Sequence, residues 1–267
     1  MQSNESNELV FYIRPHGGFT ATLYAYALKH PGSLVSVLVD GPYGGVDLQT
    51  YANVDHMLVV AGGSGAGWCL PFVEQFVRYG VPRQDARLAH KENVHVEIGS
   101  RAGGLVRPMS LRLILATRNN TNRTWFIGAI NEVLAKYETT ESSDVHVEVY
   151  LTGDAAKEAD SSNKGSEDAL TPSGSSSAGD EIGVPKHNQG GTAPDPVFDG
   201  RPHLPSIIKE ETEKVREEQE SLGVYVCGPV TMQNDVRNAV AAENLNILSG
   251  SSRAGGVYLH SEHFSWA

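Results

Sequence analysis

Between an apolar stretch, His56 to Ala61, and an amphipathic one, Trp68 to Tyr79, lies the run Gly62-Gly63-Ser64-Gly65-Ala66-Gly67. Glycines at such a turn let the backbone approach a pyrophosphate, while free N–H groups and the positive end of the following helix face its charge. The same letters also serve a tight strand-to-helix turn that binds nothing. Ser64 invites comparison with a nucleophile elbow, but G-x-S-x-G requires glycine where Ala66 stands, so an esterase is disfavoured. A second turn, Cys227-Gly228-Pro229-Val230-Thr231-Met232, again follows an apolar run and precedes a helical one. Ligands of open parallel sheets sit at the carboxyl ends of the strands, so the two turns can face one crevice. Taken alone, Cys227 reads as a buried small hydrophobe.

The elements that would carry these turns follow from periodicity. Strand-type runs occur at Leu9 to Arg14, Leu34 to Val39, His56 to Ala61, Leu111 to Thr117, Val145 to Thr152, Val224 to Cys227 and Gly256 to Phe264. Helical spacing is found at Phe19 to Lys29, Trp68 to Tyr79, Trp125 to Tyr137, Leu204 to Leu222 and Met232 to Glu243. Strands separated by helices predict an α/β fold with a doubly wound, mainly parallel sheet. Strand, helix and strand in the first ~45 residues are too little to fold alone and read as the back of a domain whose front is missing. From Gly153 to about residue 200 the composition turns to Ser, Gly, Pro, Asp and Lys, with too few large apolar side chains to offset the entropy of ordering. That stretch is expected to be a disordered insertion.

Bulk properties narrow the class. With 32 acidic against 21 basic residues, the net charge of −11 repels nucleic acid and anionic lipid. Two cysteines, Cys69 and Cys227, are too few and too far apart for a disulfide framework or a zinc ribbon, which fits a reducing, cytosolic setting. The N-terminus lacks the order of a signal peptide, and the most apolar stretch, Met57 to Val77, is broken by Gly62, Gly63, Gly65, Gly67, Pro71 and Glu74. This chain is therefore not expected to span a membrane.

Taken in order, the motifs IRP…GFT, GPYG, AGGSGAG…P, ATR…WF, GRP, CGPVTM and HSEHFSW resemble the fungal ferric-chelate reductases, a branch of the ferredoxin-NADP reductase-like superfamily related to the NADPH oxidases. The likeness covers nearly all of the chain outside 153–197 and parts of 80–108. It implies an NADPH-binding domain at 51–267, of the ferredoxin-NADP reductase type, preceded at 1–50 by a remnant of a flavin-binding β-barrel. It implies that Gly62, Gly63, Ser64, Gly65, Ala66 and Gly67, with Pro71, hold the NADPH pyrophosphate. Cys227, Gly228, Pro229 and Met232 would border the nicotinamide. Arg118 and Arg201 match positions that grip the adenosine 2′-phosphate, and two guanidinium forks suit a phosphate dianion. Arg123 reads as a solvated surface charge, and His203 stands where family members often carry an acidic or amide residue.

The resemblance further implies that Gly18, Phe19 and Thr20 meet the FAD pyrophosphate, a place where the residues alone make Thr20 a plain N-cap. Phe264 and Trp266 resemble the C-terminal aromatic that covers the flavin ring. The implied activity is hydride transfer from NADPH to FAD, with electrons passing in the full-length family through membrane haems to a ferric chelate outside. Oxygen as acceptor, and a nucleotide-binding remnant without turnover, are the competing readings. The haem-bearing membrane part and the HPF flavin motif of full-length members are missing, so the chain reads as a C-terminal piece. It is expected to be soluble by itself and, in the full-length family, to lie at the cytosolic face of the plasma membrane.

Overall fold

Long apolar runs flanked by glycine become the centre of a sheet, because only strands buried on both faces tolerate such sequence. A computed structural model describes residues 11, 13, 15, 17–40, 45–46, 53–78, 81–82, 106–137, 144–153, 197–214 and 220–262, and divides into two units, Met1–Val46 and Asp47–Ala267.

In the first unit the helix α1, Gly18–Lys29, forms as its spacing predicts but buries no residue. The strand expected at Leu34 to Val39 is not formed: the segment is extended without a ladder, and Leu34 and Leu38 are almost fully exposed. A strand is stable only when its N–H and C=O groups find a partner, and none is offered among the described residues of this unit. The run Leu9 to Arg14 lies largely outside the described residues, and no barrel strand occurs among the described residues of this unit.

The second unit is a doubly wound α/β domain. Its elements are β1 (His56–Gly62), a 3₁₀ turn (Gly63–Gly65), α2 (Ala66–Arg78), β2 (Val81–Pro82), β3 (Val106–Arg107), β4 (Ser110–Thr117), α3 (Asn120–Lys136), β5 (Val145–Leu151), β6 (Val197–Asp199), α4 (Leu204–Lys214), β7 (Ser221–Cys227), α5 (Val230–Leu248) and β8 (Gly256–Glu262). Six strands form one sheet in the order β6-β5-β4-β1-β7-β8, every pairing parallel. β2 and β3 make a separate parallel pair.

The central strand β1 is buried from Met57 to Gly62, and alternate residues feed two cores. Leu58 and Val60 pack with Ile114, Val224 and Val226 under α4 and α5. Met57, Val59, Leu113 and Leu115 are equally buried and point to the opposite face. α3 begins five residues before the expected Trp125, because the Asn119 side chain accepts a hydrogen bond from the Asn122 N–H at 2.9 Å and caps the helix there. Val197–Asp199, at the end of the stretch read as an insertion, joins the sheet as β6, while residues 154–196 lie outside those described. Within the first face a charged knot is also enclosed. Arg112 of β4, 9% exposed, meets Glu148 of β5 at 2.6 Å and Glu211 of α4 at 2.6 Å.

Candidate functional site

Because all six strands run one way, their carboxyl ends share one edge of the sheet. The register aligns them closely: Ala61 with Cys227, Gly62 with Ala116, Thr117 with Leu151, Leu151 with Asp199 and Cys227 with Glu262. Strands after β1 are laid to one side as far as β6, then β7 and β8 to the other, so the chain reverses between β1 and β7. That reversal is where open α/β sheets leave a crevice for a ligand.

Both glycine turns stand at this point and touch. A Cβ on Gly62 would lie 2.7 Å from Pro229 Cδ and 3.2 Å from Met232 Sδ; one on Gly228 would lie 2.7 Å from Met232 Sδ and 3.2 Å from the Gly62 nitrogen. A Cβ on Gly65 would come within 2.6 Å of the Cys227 carbonyl oxygen. Glycine at Gly62 and Gly65 is thus demanded by packing of one turn on the other, whereas at Gly228 the nearest group is the flexible Met232 thioether of its own turn. Gly63 differs: its φ of +58° is left-handed, and among the described residues nothing stands within 4 Å of where its Cβ would be. Backbone at Gly63 therefore faces open space beside the N-terminus of α2, with no acidic residue in that helix's first turn. The arrangement fits a pyrophosphate, which needs free N–H groups and room for close approach.

Ala66 is buried at the start of α2, Gly67 is half-buried, and Pro71 is exposed inside the helix. On the other turn Pro229 is exposed and Met232 half-buried. Cys227 is enclosed, and burial, reinforced by the Glu262 carboxylate, pushes its thiol up to about 12. Cys69 in α2 is likewise enclosed and its thiol is raised by burial and by Cys227. Neither thiol is a nucleophile at neutral pH.

Arg118 follows β4 directly, and Arg201 follows β6 after Gly200; both are exposed. Neighbouring strands lie ~4.8 Å apart, so Arg118 leaves the sheet one strand spacing from Gly62 and Arg201 two further on. Sequence reading missed Gly153, whose Cβ would overlap the Arg118 carbonyl oxygen; only glycine lets the exit of β5 pass so close. The glycine at the end of an alternating run was the available signal.

Beside Cys227, the edge strand β8 adds groups not singled out from sequence. His260 Nε2 lies 3.1 Å from Glu262 Oε1, and the His260 ring is stacked on Trp68 of α2 with centroids 6.4 Å apart. Phe264 and Trp266 lie outside the described residues. In the first unit Gly18, with φ +52°, opens α1; Phe19 is 74% exposed. Thr20 is not the N-cap: that position belongs to Gly17, and the Thr20 hydroxyl donates to the Gly17 carbonyl at 3.1 Å from inside the first turn. No helix among the described residues is long and apolar enough to cross a membrane.

Comparison with known proteins agrees with this geometry. The chain is 26% identical over 248 residues to ferric reductase transmembrane component 6 of Saccharomyces cerevisiae (strain ATCC 204508 / S288c), a match that covers 91% of this chain and 28% of that one. Over 86 residues it is 31% identical to ferric/cupric reductase transmembrane component 7 of S. cerevisiae (strain YJM789), 32% of this chain and 11% of the relative. It thus spans less than a third of these relatives' length. Residues 54–241, most of the chain, match the model of the ferric reductase NAD binding domain, and the protein belongs to that oxidoreductase family.

Proposed function

We propose that the second unit binds NADPH along the carboxyl edge of its sheet and presents it to a flavin, as the dinucleotide-binding part of a ferric reductase. The observation that carries this reading is the direct packing of the Gly62–Gly67 turn on the Cys227–Met232 turn at the reversal of strand order. In this reading the Gly63 backbone and the N-terminus of α2 hold the pyrophosphate. Arg118 and Arg201, on the far side, grip the 2′-phosphate, which selects NADPH over NADH. Cys227, Gly228, Pro229 and Met232 wall the nicotinamide and keep water off its reacting face. When bound, NADPH and FAD supply the chemistry, a hydride passing from nicotinamide C4 to flavin N5. The chain's own part is orientation, with no protein nucleophile, and the raised thiol of Cys227 accords with that.

Gly18, Phe19 and Thr20 at the start of α1 would meet the FAD pyrophosphate, and Phe264 and Trp266 would cover the ring. The acceptor after flavin would be a ferric chelate reached through haems in a membrane domain, with this unit at its cytosolic face.

A second reading, nucleotide binding without flavin turnover, is favoured by one observation: α1 buries nothing. One experiment separates the two. The purified chain is mixed with FAD and assayed for NADPH consumption with ferricyanide as acceptor. Yellow protein that consumes NADPH supports hydride transfer, whereas colourless, inactive protein that still binds NADP⁺ leaves only the second reading.

A further inference from the structure

We infer that Gln233 is a positioning residue for hydride transfer, its amide holding the turn that would wall the nicotinamide against the exit of β8. The inference rests on the NADPH-to-flavin reading above.

Gln233 lies in the first turns of α5 and is 5% exposed. Its Nε2 donates to the Gly228 carbonyl at 2.7 Å and to the Glu262 carbonyl at 3.1 Å, while its Oε1 accepts from the Ser261 hydroxyl at 3.0 Å. Both N–H groups and the carbonyl oxygen of the amide are thereby engaged, which fixes the side chain in one rotamer. The parallel ladder between β7 and β8 ends at the pair Cys227 and Glu262. Gln233 adds one more rung beyond it, made by a side chain, at the place where the β7 backbone turns away into α5.

The consequence reaches the cofactor turn through contact. Gly228 is fixed from below by Gln233 and from the side by the Gly62 backbone, 3.2 Å from its notional Cβ. Released from the amide, the Gly228 carbonyl would lose a buried partner and the Cys227–Pro229 wall its fixed height over the crevice. Affinity for the nucleotide, by contrast, would come from the α2 end and from Arg118 and Arg201, on the other side of the strand reversal. Loss of Gln233 should therefore lower the rate of the hydride step while leaving binding nearly intact. A tie that merely stabilises the fold would move both together.

The test uses the full chain with FAD, comparing wild type, Gln233→Leu and Gln233→Glu. Three quantities are read: flavin reduction by NADPH after rapid mixing, the Kd for NADP⁺, and the melting temperature. Gln233→Leu should slow flavin reduction about tenfold to a hundredfold, as an ångström-scale misplacement does, with Kd within about twofold of wild type. Gln233→Glu presents a carboxylate to two carbonyls, so its rate should rise as pH falls and protonation restores a donor, while wild type shows no such rise. An unchanged rate in Gln233→Leu, or equal losses of rate and affinity, overturns the inference and leaves the function standing. Should Gln233→Leu not fold, a flat pH profile in Gln233→Glu overturns it. A wild-type chain that never reduces FAD removes the function and this inference together.

Discussion

A side-chain carbon on Gly65 would stand 2.6 Å from the carbonyl oxygen of Cys227, so the two turns of the site meet backbone against backbone. Gly65→Ala must push them apart. Overpacking of this kind costs about 1–3 kcal/mol, and here the strain falls on the crevice itself. Gly65→Ala should lower the melting temperature and abolish retention on an immobilised NADP⁺ analogue. Gly128, exposed in the middle of α3 with nothing among the described residues within 4 Å of its notional Cβ, gives the opposite sign. Gly128→Ala should stabilise by about 0.5–1 kcal/mol and leave nucleotide binding alone. Destabilisation by both substitutions, or by neither, would contradict the packing described.

The proposed phosphate grip makes a selective claim. A hydrogen bond to a charged group contributes about 1.5–3 kcal/mol, so each arginine is worth roughly tenfold to a hundredfold in Kd. Arg118→Ala with Arg201→Ala should therefore weaken NADPH by about a hundredfold or more, with NADH changed only a few-fold. Arg123→Ala is the control: its guanidinium donates to Asn120 Oδ1 at 3.0 Å within α3 and should affect neither nucleotide. Equal losses for NADPH and NADH would assign the two arginines to the fold instead.

Where a segment's partners are close in sequence, its structure was legible. His56 to Ala61 with its glycine turn and Trp68 onward announced β1, the turn and α2 because apolar run, missing side chains and amphipathic repeat are local signals. Ala61 beside Cys227 could be anticipated only as a rule about strand ends, and the register gives it a contact. Leu34 to Val39 carried the local signal for a strand but not the partner that a strand requires. β6 was hidden because three residues at the end of a polar stretch have no period. Gln233 was illegible for a different reason: its partners Ser261 and Glu262 stand 28 and 29 residues away, and an amide inside an amphipathic helix looks like any solvated residue.

Burial of both cysteines gives a chemical prediction. The Cys227 thiol is pushed up to about 12 by burial and by Glu262, and the Cys69 thiol is raised by burial and by Cys227. At pH 8 the folded chain should react very slowly with an aromatic disulfide reagent, and should yield two thiols once denatured. Linkage fixes the sign of a further effect. Unfolded thiols ionise near ~8.5 and the folded ones stay protonated, so this contribution is fully present below ~8.5 and is lost as pH rises toward the folded value. Rapid labelling of the native chain would show that the turns open far more readily than their packing allows.

The knot around Arg112 is the place where one substitution should do most harm away from the site. Burial disfavours the Arg112 charge, yet hydrogen bonds and charges from Glu211 and Glu148 outweigh it and hold the guanidinium protonated. Replacing Arg112 by Met leaves Glu148 enclosed without its cation and Glu211 with Lys214 alone, at 2.7 Å, a loss of about 3–5 kcal/mol. Replacing Glu148 and Glu211 by Leu in the same chain removes the stranded charges and should recover most of that loss, because an apolar knot of similar volume is often as stable as the ionic one. Acid tests the same group. Glu210 lies 3.3 Å from Arg112 and 3.2 Å from Lys214; burial works against its charge, but the hydrogen bond from Lys214 and the charge of Arg112 hold the carboxyl below its usual range. A lowered folded value means stability that is present above the unfolded carboxylate pKa of ~4.3 and disappears as pH falls through the folded one. Arg112→Met removes part of that depression, so its acid-unfolding midpoint should move to higher pH in denaturation followed by circular dichroism. A midpoint unchanged from wild type would mean that the enclosed charges carry no net stabilisation.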